Sequence, residues 1–143
     1  MLATERSGAL LTATLARPPV NALDGELIGA LEALVAQAAD DPAVSVLHLR
    51  SGEKAFCAGA DLALMRTAFA SPAGTEAMVA LVRRMQRLFD RIEGAPFVAL
   101  AELGGAALGG GLELALACDL RVAAAEAKLG LTEATLGLLP GAG

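Results

Sequence analysis

Aromatic residues are almost missing from this sequence. Four Phe account for its 3% aromatic content, and neither Trp nor Tyr occurs. A chain that is 55% hydrophobic must then build its core from Ala, Leu and Val. Long apolar runs are missing too. The richest stretch, Pro96 to Cys118, is interrupted by Glu102, Glu113 and repeated glycines. It falls short of the ~18 apolar residues a spanning helix needs. Histidine occurs once, as His48, and the two cysteines, Cys57 and Cys118, have no CxxC spacing. This set is too poor for a zinc site, so no metal is expected. A lone His also lacks the partners of a nucleophilic triad and reads as core or edge packing. The two thiols are expected to be reduced, as in a reducing compartment. Basic residues are few: Lys+Arg is 11 against 16 Asp+Glu, a net charge of −5. Without a basic cluster, nucleic acid is not the expected partner. Residues 1–11, MLATERSGALL, lack the charged-then-apolar order of a secretory signal. The expectation is a soluble cytoplasmic protein without a membrane partner. Its 143 residues fit one domain.

What is present alternates between strand and helix patterns. Ser7–Leu15 reads as a strand, with Thr12 and Thr14 alternating against apolar neighbours. Asn21 and Asp24 are helix N-cap types. The spacing of Leu27, Ile28, Leu31, Leu34 and Val35 predicts a helix from Asp24 to Asp40. Val44–Leu49 predicts a strand buried on both faces. Residues 51–54 read as a turn, followed by a small-residue loop, Ala55 to Ala60. Asp61 then opens a helix through Leu62, Leu64 and Met65. Residues 68–74 read as a loose connection. Glu76–Ile92 reads as the longest helix, with Met78, Leu81, Val82, Met85, Leu88 and Phe89 on one stripe. Phe97–Ala101 is a further strand, and Gly109 to Gly111 open a helix from Leu112 to Ala117. Asp119–Ala123 and Lys128–Leu131 read as strands, with a turn or short helix from Thr132. Such alternation predicts an α/β fold with right-handed crossovers.

Two places combine glycine with a helix start. A helix opened by Gly109-Gly110-Gly111 presents free N–H groups and a positive dipole end. Ala58-Gly59-Ala60 lies between a strand and a helix in the same way. One donor from each could grip a carbonyl oxygen and stabilise an enolate. Glu113 falls in the first turn of the glycine-opened helix. Glu133 comes from another segment, so the two glutamates could flank a substrate and divide acid and base work. Structural readings stand beside these. The glycine triplet serves equally for tight packing on a strand. Glu113 could complement the helix dipole, Glu133 could begin a helix, and Asp61 reads as an N-cap. No GK[ST] follows the triplet, so it is not a phosphate loop. Small-residue packing is sufficient reason for Cys57.

These stretches together resemble the enoyl-CoA hydratase/isomerase (crotonase) superfamily. The similarity runs through Arg17–Leu23 (RPPVNAL), Lys54–Leu62 (KAFCAGADL) and Gly105–Gly143, nearly the whole chain. The resemblance implies a crotonase-like (ClpP/crotonase) spiral of ββα units across which an acyl-CoA thioester binds. It implies an oxyanion hole from the N–H groups of Ala60 and Gly110. Ala58, Gly59, Asp61, Leu62 and Gly109 are then the expected substrate-binding positions. Glu113 matches the glutamate after GGGL, and Glu133 matches that of the LTEATLG stretch. In the roles the resemblance carries, Glu133 gives a proton to the α carbon and Glu113 helps activate a water. No separate cofactor is implied, since coenzyme A is part of the substrate. Trimers, or pairs of trimers, are the implied assembly.

Some positions depart from the family pattern. Ala63 stands where many members carry a lysine near the CoA phosphates. Thr132 stands where proline is frequent. Glu102 and Gly104 replace a Val/Asn-type sequence. Family chains also continue beyond LPGAG into helices that cap the pocket and build the trimer. Residues 1–143 are thus expected to be the N-terminal core domain. The function expected is hydration of a 2-enoyl-CoA. The alternatives are double-bond isomerisation or other acyl-CoA enolate chemistry, and, in a different class, a non-catalytic assembly partner.

Overall fold

A computed structural model describes all residues 1–143. The chain begins with β1 (Leu2–Ser7) and β2 (Leu10–Leu15), an antiparallel hairpin closed by Gly8 and Ala9. The single strand expected over residues 7–15 is thus broken by a turn at its start. β1 carried little apolar signal because five of its six residues are exposed.

From β2 onward, every pairing is parallel. β3 (Val46–Ser51), β5 (Val98–Leu103) and β7 (Leu120–Ala123) extend the first sheet in the order β1-β2-β3-β5-β7. The second sheet holds β4 (Ala55–Cys57), β6 (Ala106–Leu108) and β8 (Leu129–Gly130), ordered β4-β6-β8. Each turn of the chain adds one strand to the first sheet, one to the second, and then a helix. The result is the expected spiral of ββα units. In the first turn, a single bridge from Leu23 to Ala60 replaces the second-sheet strand. β4 and β6 have three residues each, too few to display a period.

The helices follow from caps and stripes. α1 (Gly25–Asp40) starts at Asp24, whose carboxylate accepts from the N–H groups of Glu26 and Leu27. Its buried face is Leu27, Ile28, Leu31, Leu34, Val35 and Ala38. α2 (Leu62–Ala68) is capped by Asp61. α3 (Pro72–Glu93) begins four residues before the expected Glu76, because Ser71 caps it and Pro72 sits at its first position. α4 (Gly110–Leu116) is short, and a 3₁₀ turn covers Glu133–Leu136.

The first sheet is buried on one face only. Ala13, Leu15, Leu47, Leu49, Ala99, Ala101 and Leu103 point inward and are buried. His48 and Arg50 alternate to the other face. The expectation that the third strand is covered on both faces is therefore corrected. His48 lies on that face of the central strand, with Nε2 2.8 Å from Glu102 Oε2 on β5. Cys57 and Cys118 are both buried and unpaired, and burial pushes each thiol up to about 12.

Candidate active site

The site begins with a clasp. Asn21 was an N-cap candidate by type, but it is fully buried with φ 52° and caps nothing. Its Oδ1 accepts from the Arg17 N–H at 2.7 Å. Its Nδ2 donates to Ser51 Oγ at 2.8 Å and Phe56 O at 3.0 Å. The Cys57 thiol donates to the Asn21 carbonyl at 3.0 Å, and Ala58 N–H donates to Val20 O. These bonds lay RPPVNAL along β4. Arg17 also joins two helix starts, at 2.8 Å from Asp24 and 3.0 Å from Asp61.

The clasp orients Ala60. Leu23 N–H donates to Gly59 O and Asp61 N–H donates to Leu23 O, so Leu23 bridges the two neighbours of Ala60. In a parallel bridge of this kind, the N–H of the flanked residue points to the opposite side. That side is α4. Gly109, with φ 52° and ψ −130°, opens α4 without a side-chain cap. The first N–H groups of such a helix have no carbonyl a turn below them. A methyl group placed on Gly59 would lie 3.3 Å from Gly110 N, so the two loops meet. A methyl on Gly111 would run into the Cys57 carbonyl. That close approach seats α4 on β4.

Both glutamates reach this point. Glu113 is 4% exposed. Its Oε1 accepts from Ala142 N–H at 2.8 Å and Gly143 N–H at 3.0 Å. Its Oε2 lies 3.7 Å from where a Gly110 side chain would start. Glu133 crosses from the 3₁₀ turn, and its Oε1 would meet a Gly109 side chain at 2.7 Å. Its Oε2 is buried without a hydrogen-bond partner. A cavity of about 200 Å³ joins Ala60, Gly110, Glu113 and Glu133. Its apolar wall includes Met65, Met78, Val82 and Met85.

Of the expected substrate-binding positions, Ala58, Gly59, Leu62 and Gly109 line this cavity. Asp61 does not. Its carboxylate accepts from Ala63 and Leu64 N–H groups and faces Arg17. The Leu64 N–H, then Arg17, hold it below the usual carboxylate range. The reading of Asp61 as an N-cap holds, and its carboxylate is engaged by that cap and by Arg17. Missing from the sequence reading were the buried Asn21 and the grip of residues 142–143 on Glu113. Asn21 left one signal, a polar residue between Val20 and Leu23, both apolar.

Fold and site together define an α/β spiral in which two glycine-containing loops and two glutamates meet on one cavity. Comparison with known proteins agrees. Residues 5–143 match the profile of the enoyl-CoA hydratase/isomerase family, and the chain belongs to that family. It is 41% identical to a probable enoyl-CoA hydratase of Bacillus subtilis over 140 residues, covering 98% of this chain and 52% of that protein. It is 48% identical to the human enoyl-CoA hydratase domain-containing protein 2, mitochondrial, covering 86% of this chain and 41% of that one. The crystal structure of enoyl-CoA hydratase from Bacillus anthracis superposes with a TM-score of 0.89 at 36% identity, covering 99% of this chain and 54% of that one. The chain thus spans about half, or less, of the length of these relatives. The fold is the crotonase-like spiral. No helix is long and apolar enough to cross a membrane.

Proposed function

We propose that this site serves hydration of a 2-enoyl-CoA thioester. The observation that carries the reading is Glu133 Oε2, buried with no partner on the cavity that Glu113 also lines. Buried polar atoms are normally satisfied, so an unsatisfied one in a cleft points to a ligand. In this reading, the thioester oxygen accepts from the N–H groups of Ala60 and Gly110. Enolate charge then develops against two fixed donors that need no reorganisation. Glu113, its carboxylate held by Ala142 and Gly143, takes a proton from water as the oxygen bonds to C3. Glu133 gives its proton to C2. The two carboxyls together hold one proton before and after the step. No cofactor enters the scheme, because coenzyme A is part of the substrate.

Shifting a double bond from C3 to C2 needs one carboxyl to carry a proton. Two carboxyl groups on one cavity favour hydration over that alternative. The test is hydration of a short 2-enoyl-CoA by purified protein, beside Glu113→Gln and Glu133→Gln. Each variant is expected to lose about 10²–10⁴-fold in turnover, the usual worth of a positioned acid or base. Unchanged turnover in both overturns the reading. The trimer or paired-trimer assembly belongs to the same proposal and is read by sedimentation.

A further inference from the structure

One face of α3 carries a stripe that the proposed chemistry does not use. Val82, Gln86 and Phe89 fall at i, i+4 and i+7, which places them on the same side of the helix. All three meet the segment Gly141–Gly143. Gln86 Nε2 donates to the Gly141 carbonyl at 2.7 Å. A methyl on Gly141 would lie 3.6 Å from Val82 Cγ1, and one on Gly143 would lie 3.4 Å from Phe89 Cδ2. Ala142 between them is 4% exposed.

The Gly141 carbonyl and the Ala142 N–H belong to one peptide unit, which is planar. That unit is gripped at both ends. Gln86 donates to its oxygen, and its N–H donates to Glu113 Oε1 at 2.8 Å. The next N–H, from Gly143, reaches the same oxygen at 3.0 Å. Hydrogen bonds in such a chain polarise one another, so a donor on the carbonyl strengthens the N–H as a donor. It also fixes the rotation of the plane and hence where Glu113 Oε1 is held. Gln86 does not line the cavity and does not touch Glu113. We infer that Gln86 is a positioning residue for Glu113, acting through the Gly141–Ala142 peptide.

The effect on turnover rests on the hydratase reading, whereas the effect on the peptide does not. Gln86→Met keeps the length and removes the donor. Gln86→Glu also removes it, and Gln86→Lys restores a donor on a long stem. Gln86 is exposed, so these variants are expected to fold. Amide hydrogen exchange at Ala142 and Gly143 is followed by NMR, with kcat and KM measured in parallel. Gln86→Met and Gln86→Glu are each expected to speed exchange at both amides about two- to tenfold, the range of one lost hydrogen bond. They lower kcat by a similar factor with KM unchanged, and Gln86→Lys recovers both readouts. Wild-type exchange rates in Gln86→Met and Gln86→Glu overturn the inference. So does a raised KM with kcat intact. Should the protein hydrate no enoyl-CoA at all, the hydratase reading fails and the exchange rates still decide the role of Gln86.

Discussion

Residues 17–61 and residues 129–143 contribute separate walls of the cavity, and they treat their polar atoms differently. In the first wall, Asn21 is fully buried and every side-chain polar atom is used, with Ala55 O at 3.3 Å as a further acceptor. Arg17 closes the wall by pairing with both helix caps. In the second wall, β8 has two residues and Glu133 Oε2 has no partner. Leu129, Leu131, Leu136 and Leu139 are all exposed. One wall therefore spends its polar groups on itself, which fixes the Ala60 N–H in place. The other keeps a polar group uncommitted. The proposed hydration asks for both, a fixed donor at the oxyanion and an uncommitted carboxyl as the reacting group.

The contrast breaks most sharply at Asn21. Asn21→Ala leaves the Arg17 N–H and the Phe56 carbonyl without the side chain that satisfied them. Each buried group so stranded costs about 1–3 kcal/mol, so a loss of ~3 kcal/mol or more is expected. Alanine at φ 52° adds strain. Urea unfolding measures this as a lower midpoint. A loss under about 1 kcal/mol would show that the clasp is not what holds β4.

The second wall should respond with the opposite sign. Glu133→Gln alters a side chain whose buried Oε2 has no partner, so no hydrogen bond is lost there. Burying an unpaired polar group is unfavourable in the wild type already. The variant is therefore expected to match the wild type in stability or exceed it by up to about 1 kcal/mol. Turnover nevertheless falls as described above. Thermal unfolding beside the activity assay reads both. A variant destabilised as much as Asn21→Ala would erase the difference between the walls.

How much of this was legible in the sequence follows the same division. The second wall's Glu133 and, outside both walls, Gly109 are legible because each breaks a local pattern: a glutamate after a threonine turn, a glycine triplet before an apolar helix. α1 was legible because five apolar residues between Leu27 and Val35 recur at helical spacing. The first wall was less so. Asn21 reads as a cap by type, and only its tertiary contacts give its task. β4 and β6 are too short for a period, and β1 is polar because it is an exposed edge. The outward face of β3 reads as buried because Val46 and Leu47 are adjacent, and only His48 and Arg50 betray the alternation. The peptide that links Gln86 to Glu113 joins residues 27 apart in sequence and could not be read from either.

The smallest effect expected is at Asp61, and its pH dependence sharpens the comparison. The Leu64 N–H and the Arg17 guanidinium hold this carboxyl below its usual range. A carboxyl with a lowered folded-state pKa adds stability above its unfolded value, near ~3.9, and loses it as pH falls through the folded value. Asp61→Asn keeps a good capping side chain, so the cap itself changes little. What it removes is the ion pair to Arg17, part-exposed and worth about 0.5–1 kcal/mol at low salt. Wild type and Asp61→Asn should therefore differ by that amount at pH 7 and converge only as pH falls through the lowered folded-state value, below the unfolded ~3.9. Paired urea titrations at the two pH values measure it. A gap that persists in acid would assign Asp61's contribution to cap geometry and leave Arg17 held by Asp24 alone.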